Sequence, residues 1–213
     1  LPQLSSGPLG GAEKNIHLII QEGVSNMRIL KLQIQMTVDG FVAGPNGEMD
    51  WMVWDWDDKL KKYISEITAP VDCIVLGRKL AQGFIPTWAS HLADPKTADV
   101  FAKKMVETHK VVFTKTLARS EWQNTDVAKG DMVEEVKNLK RMNGGDIIVY
   151  GGATFVSALI KAGLIDEFHL FINPVAIGNG MTIFKDVPQK QHLALVKSTA
   201  FDCGIVLLSY ERK

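Results

Sequence analysis

The sequence predicts an α/β fold in three layers, α-β-α, around a mostly parallel central sheet with an antiparallel C-terminal edge. Three observations carry this. Residues 29–38 alternate strictly between apolar and polar, the mark of a strand with one buried face. The apolar runs that follow are short and separated by stretches of helical periodicity, and such alternation implies a parallel sheet with helices on its faces. The chain closes on two consecutive strand-like runs, near 192–200 and 204–210.

In the first strand Leu30, Leu32, Ile34, Met36 and Val38 share one face, and Lys31, Gln33, Gln35 and Thr37 the other. It ends at Asp39-Gly40, resumes briefly as Phe41-Val42-Ala43, and meets the turn-rich Gly44-Pro45-Asn46-Gly47. A helix is expected over Asp55–Ile67, with Leu60, Ile64 and Ile67 on one stripe and Pro70 behind it. Val71–Leu76 reads as a buried strand. Gly77-Arg78-Lys79 opens a turn into a helix, followed by an irregular region bounded by Pro86 and Pro95. Ala98, Phe101, Ala102 and Met105 have helical spacing, and Lys110–Thr114 is strand-like. Met132, Val136 and Leu139 mark a helix closed by Asn143-Gly144-Gly145. The strand Ile147–Tyr150, a helix over Thr154–Ala162 and the strand Glu167–Ile172 complete the alternation.

At 213 residues, 46% hydrophobic and 23% charged, the chain suits one domain with a full core. Lys+Arg and Asp+Glu balance at 24 each, so no basic surplus argues for nucleic acid. No apolar run reaches the ~18 residues of a membrane span. Cys73 and Cys203 both lie in apolar strand-like runs and read as reduced core residues. There is neither a disulfide framework nor Cys/His metal spacing, so a cytoplasmic setting and no metal are expected. Residues 1–26, rich in Gly, Ser and Pro at their start, lack the pattern of a secretory signal. They read as a leader, tag or flexible arm, with residues 27–213 as one domain.

Ligands of an open α/β sheet bind outside the carboxyl ends of its strands. Five segments arrive there: Thr37 to Gly40, Gly77 to Lys79, Thr114 to Thr116, Gly151 to Thr154, and Asn173 to Gly180. Gly151-Gly152 joins a strand directly to a helix N-terminus, where bare N–H groups and the helix dipole favour an anion. Arg78 offers a guanidinium at another helix start, and Thr114 and Lys115 a hydroxyl and an ammonium. Together they suit a dinucleotide bearing an extra phosphate.

The segments MTVDGFVAG, VLGRKLAQGF, VVFTKTL and VYGGATFVSALIKAGLIDEFHLFINPVAIGNGMTIF, in that order and spacing, resemble the dihydrofolate reductase-like superfamily. They are most similar to its branch containing the C-terminal reductase domain of bifunctional riboflavin-biosynthesis proteins. The resemblance covers essentially all of residues 27–213 and implies NADPH as cofactor. It implies that Gly77, Arg78, Lys79 and Leu80 meet the pyrophosphate and 2′-phosphate side, and that Thr114 and Lys115 meet the adenosine 2′-phosphate. Gly151, Gly152, Ala153, Thr154 and Phe155 would cradle the pyrophosphate, and backbone near Gln35, Ala43 and Gly44 would hold the nicotinamide. It further implies a cis Gly151–Gly152 peptide and a homodimer paired through the C-terminal sheet region. Leu80 departs from the family, which often has Thr there. The zinc deaminase signature H-x-E…P-C-x-x-C is missing from the sequence, so a stand-alone reductase-type domain is expected.

The pterin-reducing relatives place an acidic residue near the start of the first helix, facing a small-molecule substrate. Helical spacing puts Asp57 on the stripe of Leu60, Ile64 and Ile67. A carboxylate against apolar walls would have a raised pKa and could relay a proton; the alternative is a helix N-cap. Asp39 is the second candidate. Trp51, Trp54 and Trp56 could wall a heterocycle or simply pack. The implied reaction is hydride transfer to a small heterocyclic or carbonyl compound. The riboflavin-pathway uracil intermediate comes first and dihydrofolate next; an NADP-binding module without turnover is the rival.

Overall fold

The computed structural model describes residues 27–185 and 187–213; the expected leader, residues 1–26, lies outside them. Eight strands form one sheet: β1 (Leu30–Thr37), β2 (Val71–Gly77), β3 (His109–Phe113), β4 (Thr125–Ala128), β5 (Asp146–Val149), β6 (Glu167–Asn173), β7 (Leu193–Ala200) and β8 (Val206–Arg212). Their order is β4-β3-β2-β5-β1-β6-β8-β7. β1 to β6 pair in parallel, whereas β8 runs antiparallel to both β6 and β7. The helices are α1 (Asp58–Thr68), α2 (Arg78–Ala93), α3 (Val100–Glu107), α4 (Met132–Arg141) and α5 (Ala153–Lys161). This is the expected three-layer architecture.

Packing follows the alternation of the strands. Leu30, Leu32 and Ile34 of β1, with Val75, Ile147 and Val149, meet Val136 of α4 and Val156, Leu159 and Ile160 of α5. On the opposite face Leu60, Ile64 and Ile67 of α1 meet Phe171 and Leu207. Ala81 of α2 and Met105 of α3 cover Ile74, Leu76, Val112 and Ile148.

Four local expectations are corrected. The polar face of β1 is not solvated: Lys31, Gln33 and Thr37 are buried, because β1 lies between β5 and β6 in mid-sheet with helices on both faces. β4 has only four residues, too few for alternation to register, and is added at the edge beside β3. α2 runs straight through Pro86. A proline inside a helix costs about 3 kcal/mol, but the same helix stacks Phe84 on Tyr150 and sets Trp88 edge-on to Phe101, each at 5.2 Å between ring centres. Cys73 lies buried in β2 as expected, and burial pushes its thiol up to about 11. Cys203 instead lies in the turn between β7 and β8.

Among the described residues three lysines are buried. Lys31 pairs with Asp146 at 2.6 Å and Lys140 with Asp166 at 2.6 Å. Lys110, only 2% exposed, donates to the carbonyls of Val106 at 2.9 Å and Thr108 at 2.7 Å, at the end of α3. Burial lowers its pKa from 10.5 to about 8. Between those values the unfolded chain binds the proton and the native chain releases it, so this group makes stability rise with pH across that window. Denaturant unfolding at about pH 7.5, 9 and 10 should record that rise in the wild type and lose it in Lys110→Met; equal slopes would refute the assignment.

Candidate active site

The C-terminal ends of β1 to β6 share one edge of the sheet, and strand order divides that edge in two. β3, β2 and β5 form one half. β2 feeds α2 directly at Arg78, and β5 feeds α5 through Gly151-Gly152. Since β2 and β5 are paired, the two helix N-termini stand side by side. Neither has a side-chain cap, whereas α1, α3 and α4 are capped by Asp57, Asp99 and Asp131.

The expected cis Gly151–Gly152 bond is not found; the described residues contain no cis peptide. The chain turns through positive φ instead, +148° at Gly151 and +82° at Gly152, which L side chains resist. Gly77 is needed for a different reason, because a Cβ there would come within 3.0 Å of the Phe155 Cβ. Phe155 also stacks toward Phe113 at 5.0 Å. Leu80 lies over the glycine turn, 3.7–3.8 Å from where side chains at Gly151 and Gly152 would begin. Thr114 is partly spent: its Oγ1 accepts from the N–H groups of Thr116 at 3.1 Å and Leu117 at 3.2 Å. Arg78 reaches only Gln82, at 3.3 Å. Lys79, Lys115 and Thr154 are exposed, and Ala153 opens α5. Residues 77–93, 113–120 and 150–155 contain Arg78, Lys79, Lys115 and Arg119 but not one Asp or Glu, so the segments that leave these strand ends are basic.

The other half is built on β1 and β6. Asp39 binds the backbone N–H groups of Gly178 at 2.7 Å and Ile177 at 3.1 Å, and accepts from the Thr37 hydroxyl at 2.6 Å. Ala43 and Met181 form a bridge, and the Gly44 N–H is used by the Glu48 carbonyl at 2.8 Å. Gln35 is fixed by Asn173, whose Nδ2 donates to its Oε1 at 2.8 Å. Trp54, 69% exposed, stacks on Trp56 with ring centres 6.3 Å apart.

The raised pKa expected for Asp57 is corrected. Asp57 caps α1, accepting from Leu60 N–H at 2.9 Å and from Cys203 N–H at 3.1 Å. The Leu60 bond, chiefly, holds its carboxyl below the usual range. Asp39 is lowered too, first by the Thr37 hydroxyl and then by Gly178. Both carboxylates answer backbone donors.

Sequence reasoning missed Asn173, the residue that organises this half. It is fully buried, accepts from Val53 N–H at 2.9 Å, and donates to Gln35 and to the Phe171 carbonyl at 3.2 Å. The available signal was a polar residue in phase with Phe171 at the end of an apolar strand. Asn173→Ala leaves buried donors and acceptors unmatched, at about 1–3 kcal/mol. Urea unfolding should register that loss, and amide exchange should show Val53 losing protection; an unprotected Val53 in the wild type would contradict it.

The comparisons agree with this architecture. The model of the RibD C-terminal domain matches residues 28–207. Protein YyaP of Bacillus subtilis (strain 168) is 35% identical over 187 residues, 86% of this chain and 94% of that protein. Among solved structures, the diaminohydroxyphosphoribosylaminopyrimidine deaminase/5-amino-6-(5-phosphoribosylamino)uracil reductase of Thermotoga maritima superposes with a TM-score of 0.65 at 18% identity, over 92% of this chain and 60% of that one. Dihydrofolate reductase from Enterococcus faecalis, solved with NADP(H), gives 0.58 at 15% identity over 87% and 96%. Their likeness concerns the fold. With β1 to β7 and every helix inside the matched span, the chain belongs to the RibD C-terminal domain family and has the dihydrofolate reductase-like fold.

Proposed function

We propose that the protein is a cytoplasmic NADPH-dependent reductase that transfers a hydride to a small heterocyclic substrate. The observation that carries this is the adjacent pair of uncapped helix N-termini among cations without carboxylates. The first-turn N–H groups of α2 and α5 suit a pyrophosphate, and the glycines at 77, 151 and 152 let it approach the backbone. In this reading Gly77, Arg78, Lys79 and Leu80 border the phosphates, Thr114 and Lys115 take the 2′-phosphate, and Gly151 to Phe155 cradle the pyrophosphate. Backbone at Gln35, Ala43 and Gly44 meets the nicotinamide. NADPH, when bound, supplies the hydride.

The chain's own part is to position. Asp39 fixes the loop after β6 and Asp57 fixes the start of α1; both shape the substrate side. Family membership points to a riboflavin-pathway pyrimidine, with dihydrofolate behind it. Because both carboxylates are spent on backbone donors, a module that binds NADP without turnover is the second reading.

Fluorescence titration should give NADPH affinity at least about tenfold above NADH, a difference of about 1.4 kcal/mol. Arg78→Ala and Lys115→Ala should each erode that preference. Equal affinities would remove the 2′-phosphate assignment, and no binding would remove the reductase. Oxidation of bound NADPH by added substrate separates enzyme from module.

The reading includes a homodimer. β7 is an edge strand on which Leu195 and Val196 are 58% and 56% exposed, and such edges recruit further chains. Sedimentation should give twice the chain mass of 23.6 kDa, and Val196→Lys should shift it toward one. A wild-type mass of a single chain would refute the dimer.

A further inference from the structure

Charge on the ligand-facing edge follows strand order. The half formed by β3, β2 and β5 is basic. The segments that build the half on β1 and β6 carry no cation among the described residues: residues 32–58 contain no Lys, Arg or His but six carboxylates, at 39, 48, 50, 55, 57 and 58. Residues 173–184, after β6, carry no charged residue. The first cations beyond these segments are Lys59, which pairs with Asp202 at 3.1 Å, and Lys185.

A phosphate also needs donors, and backbone amides could supply them without a cation. Here the donors at the strand ends are largely taken, and the buried Trp51 indole N–H is left without a partner. The Ile177 and Gly178 N–H groups form a hollow suited to an anion, and Asp39 already fills it. The Asn46 N–H binds Glu48 at 2.9 Å, the Gly44 N–H binds the Glu48 carbonyl, and the Val53 N–H binds Asn173. The protein thus supplies its own anions to this half. An incoming phosphate would meet like charge and, after β6, a hollow already filled by Asp39, a cost in specificity as real as a missing contact. What the half offers freely is the exposed Trp54 ring, backed by the half-buried Trp56 on which it stacks.

We infer that the substrate of this site is an unphosphorylated planar heterocycle, neutral or cationic. The inference rests on the reductase reading and narrows it, setting this chain apart from relatives whose substrate is a phosphoribosyl compound.

The test uses a matched pair, 5-amino-6-ribosylaminouracil and its 5′-phosphate, titrated calorimetrically into the full chain saturated with NADP+. The unphosphorylated compound should bind at least tenfold more tightly. Added salt should narrow the gap by screening the repulsion felt by the phosphate. A phosphate ester that binds as well or better would overturn the inference. So would silence from both compounds on a chain that has taken up NADP+, which fails the substrate class while leaving the cofactor half intact. A chain that takes up no NADP+ fails at the earlier step, and the inference falls with it.

Discussion

The amide of Asn173 is the contact on which the half of the sheet edge built on β1 and β6 depends. It sits with no exposure at the last residue of β6, opposite Thr37 in the parallel register with β1. One side chain serves three elements: its oxygen holds the loop before α1 through Val53, and its nitrogen holds Gln35 on β1 and the Phe171 carbonyl on its own strand. A buried amide stabilises only when its bonds are made, and its loss leaves several partners unmatched at once. The tryptophan-rich loop is therefore registered to the sheet, although few of its own residues are buried.

Asp39 does the complementary work outside. Its carboxylate links Thr37 at the end of β1 to the amides of Ile177 and Gly178 beyond β6. Together Asn173 from within and Asp39 from without fasten two neighbouring strand ends that would otherwise diverge as loops. Both are polar and both act through geometry. A lowered carboxyl pKa at Asp39 and Asp57 is the electrostatic signature of that use, since the Thr37 hydroxyl beside Asp39 and the amide donors around both favour the charged form.

The framework was legible because period-two and helical patterns report burial directly. Leu30, Leu32 and Ile34, or Leu60, Ile64 and Ile67, could hardly face anything but a core. Legibility ended where burial depends on neighbours in space. Nothing local to LKLQIQMT says that Lys31 and Gln33 will be enclosed too; that follows from β1 standing between β5 and β6. α2 crosses Pro86 because Phe84 and Trp88 find Tyr150 and Phe101, partners remote in sequence. In the candidate site the glycine turn and the cations were readable as residue types. The roles of Asp57 and Asn173 were not, because each is decided by a backbone N–H from another element.

Among the described residues three helices begin with an aspartate that satisfies their first amides, and two do not. Asp57, Asp99 and Asp131 serve helices whose starts are structural. α2 and α5 begin at Gly77 and Gly152 with their amides free. Glycine at these two starts gives up only about a few tenths of a kcal/mol against a capping aspartate, and both omissions fall at neighbouring strand ends beside Arg78 and Lys79. Local rules broken together and without compensation mark a place where another group is meant to complete the structure. The carboxylate–amide interaction that occupies the half built on β1 and β6 is withheld from the half built on β2 and β5. That single difference gives the edge its polarity.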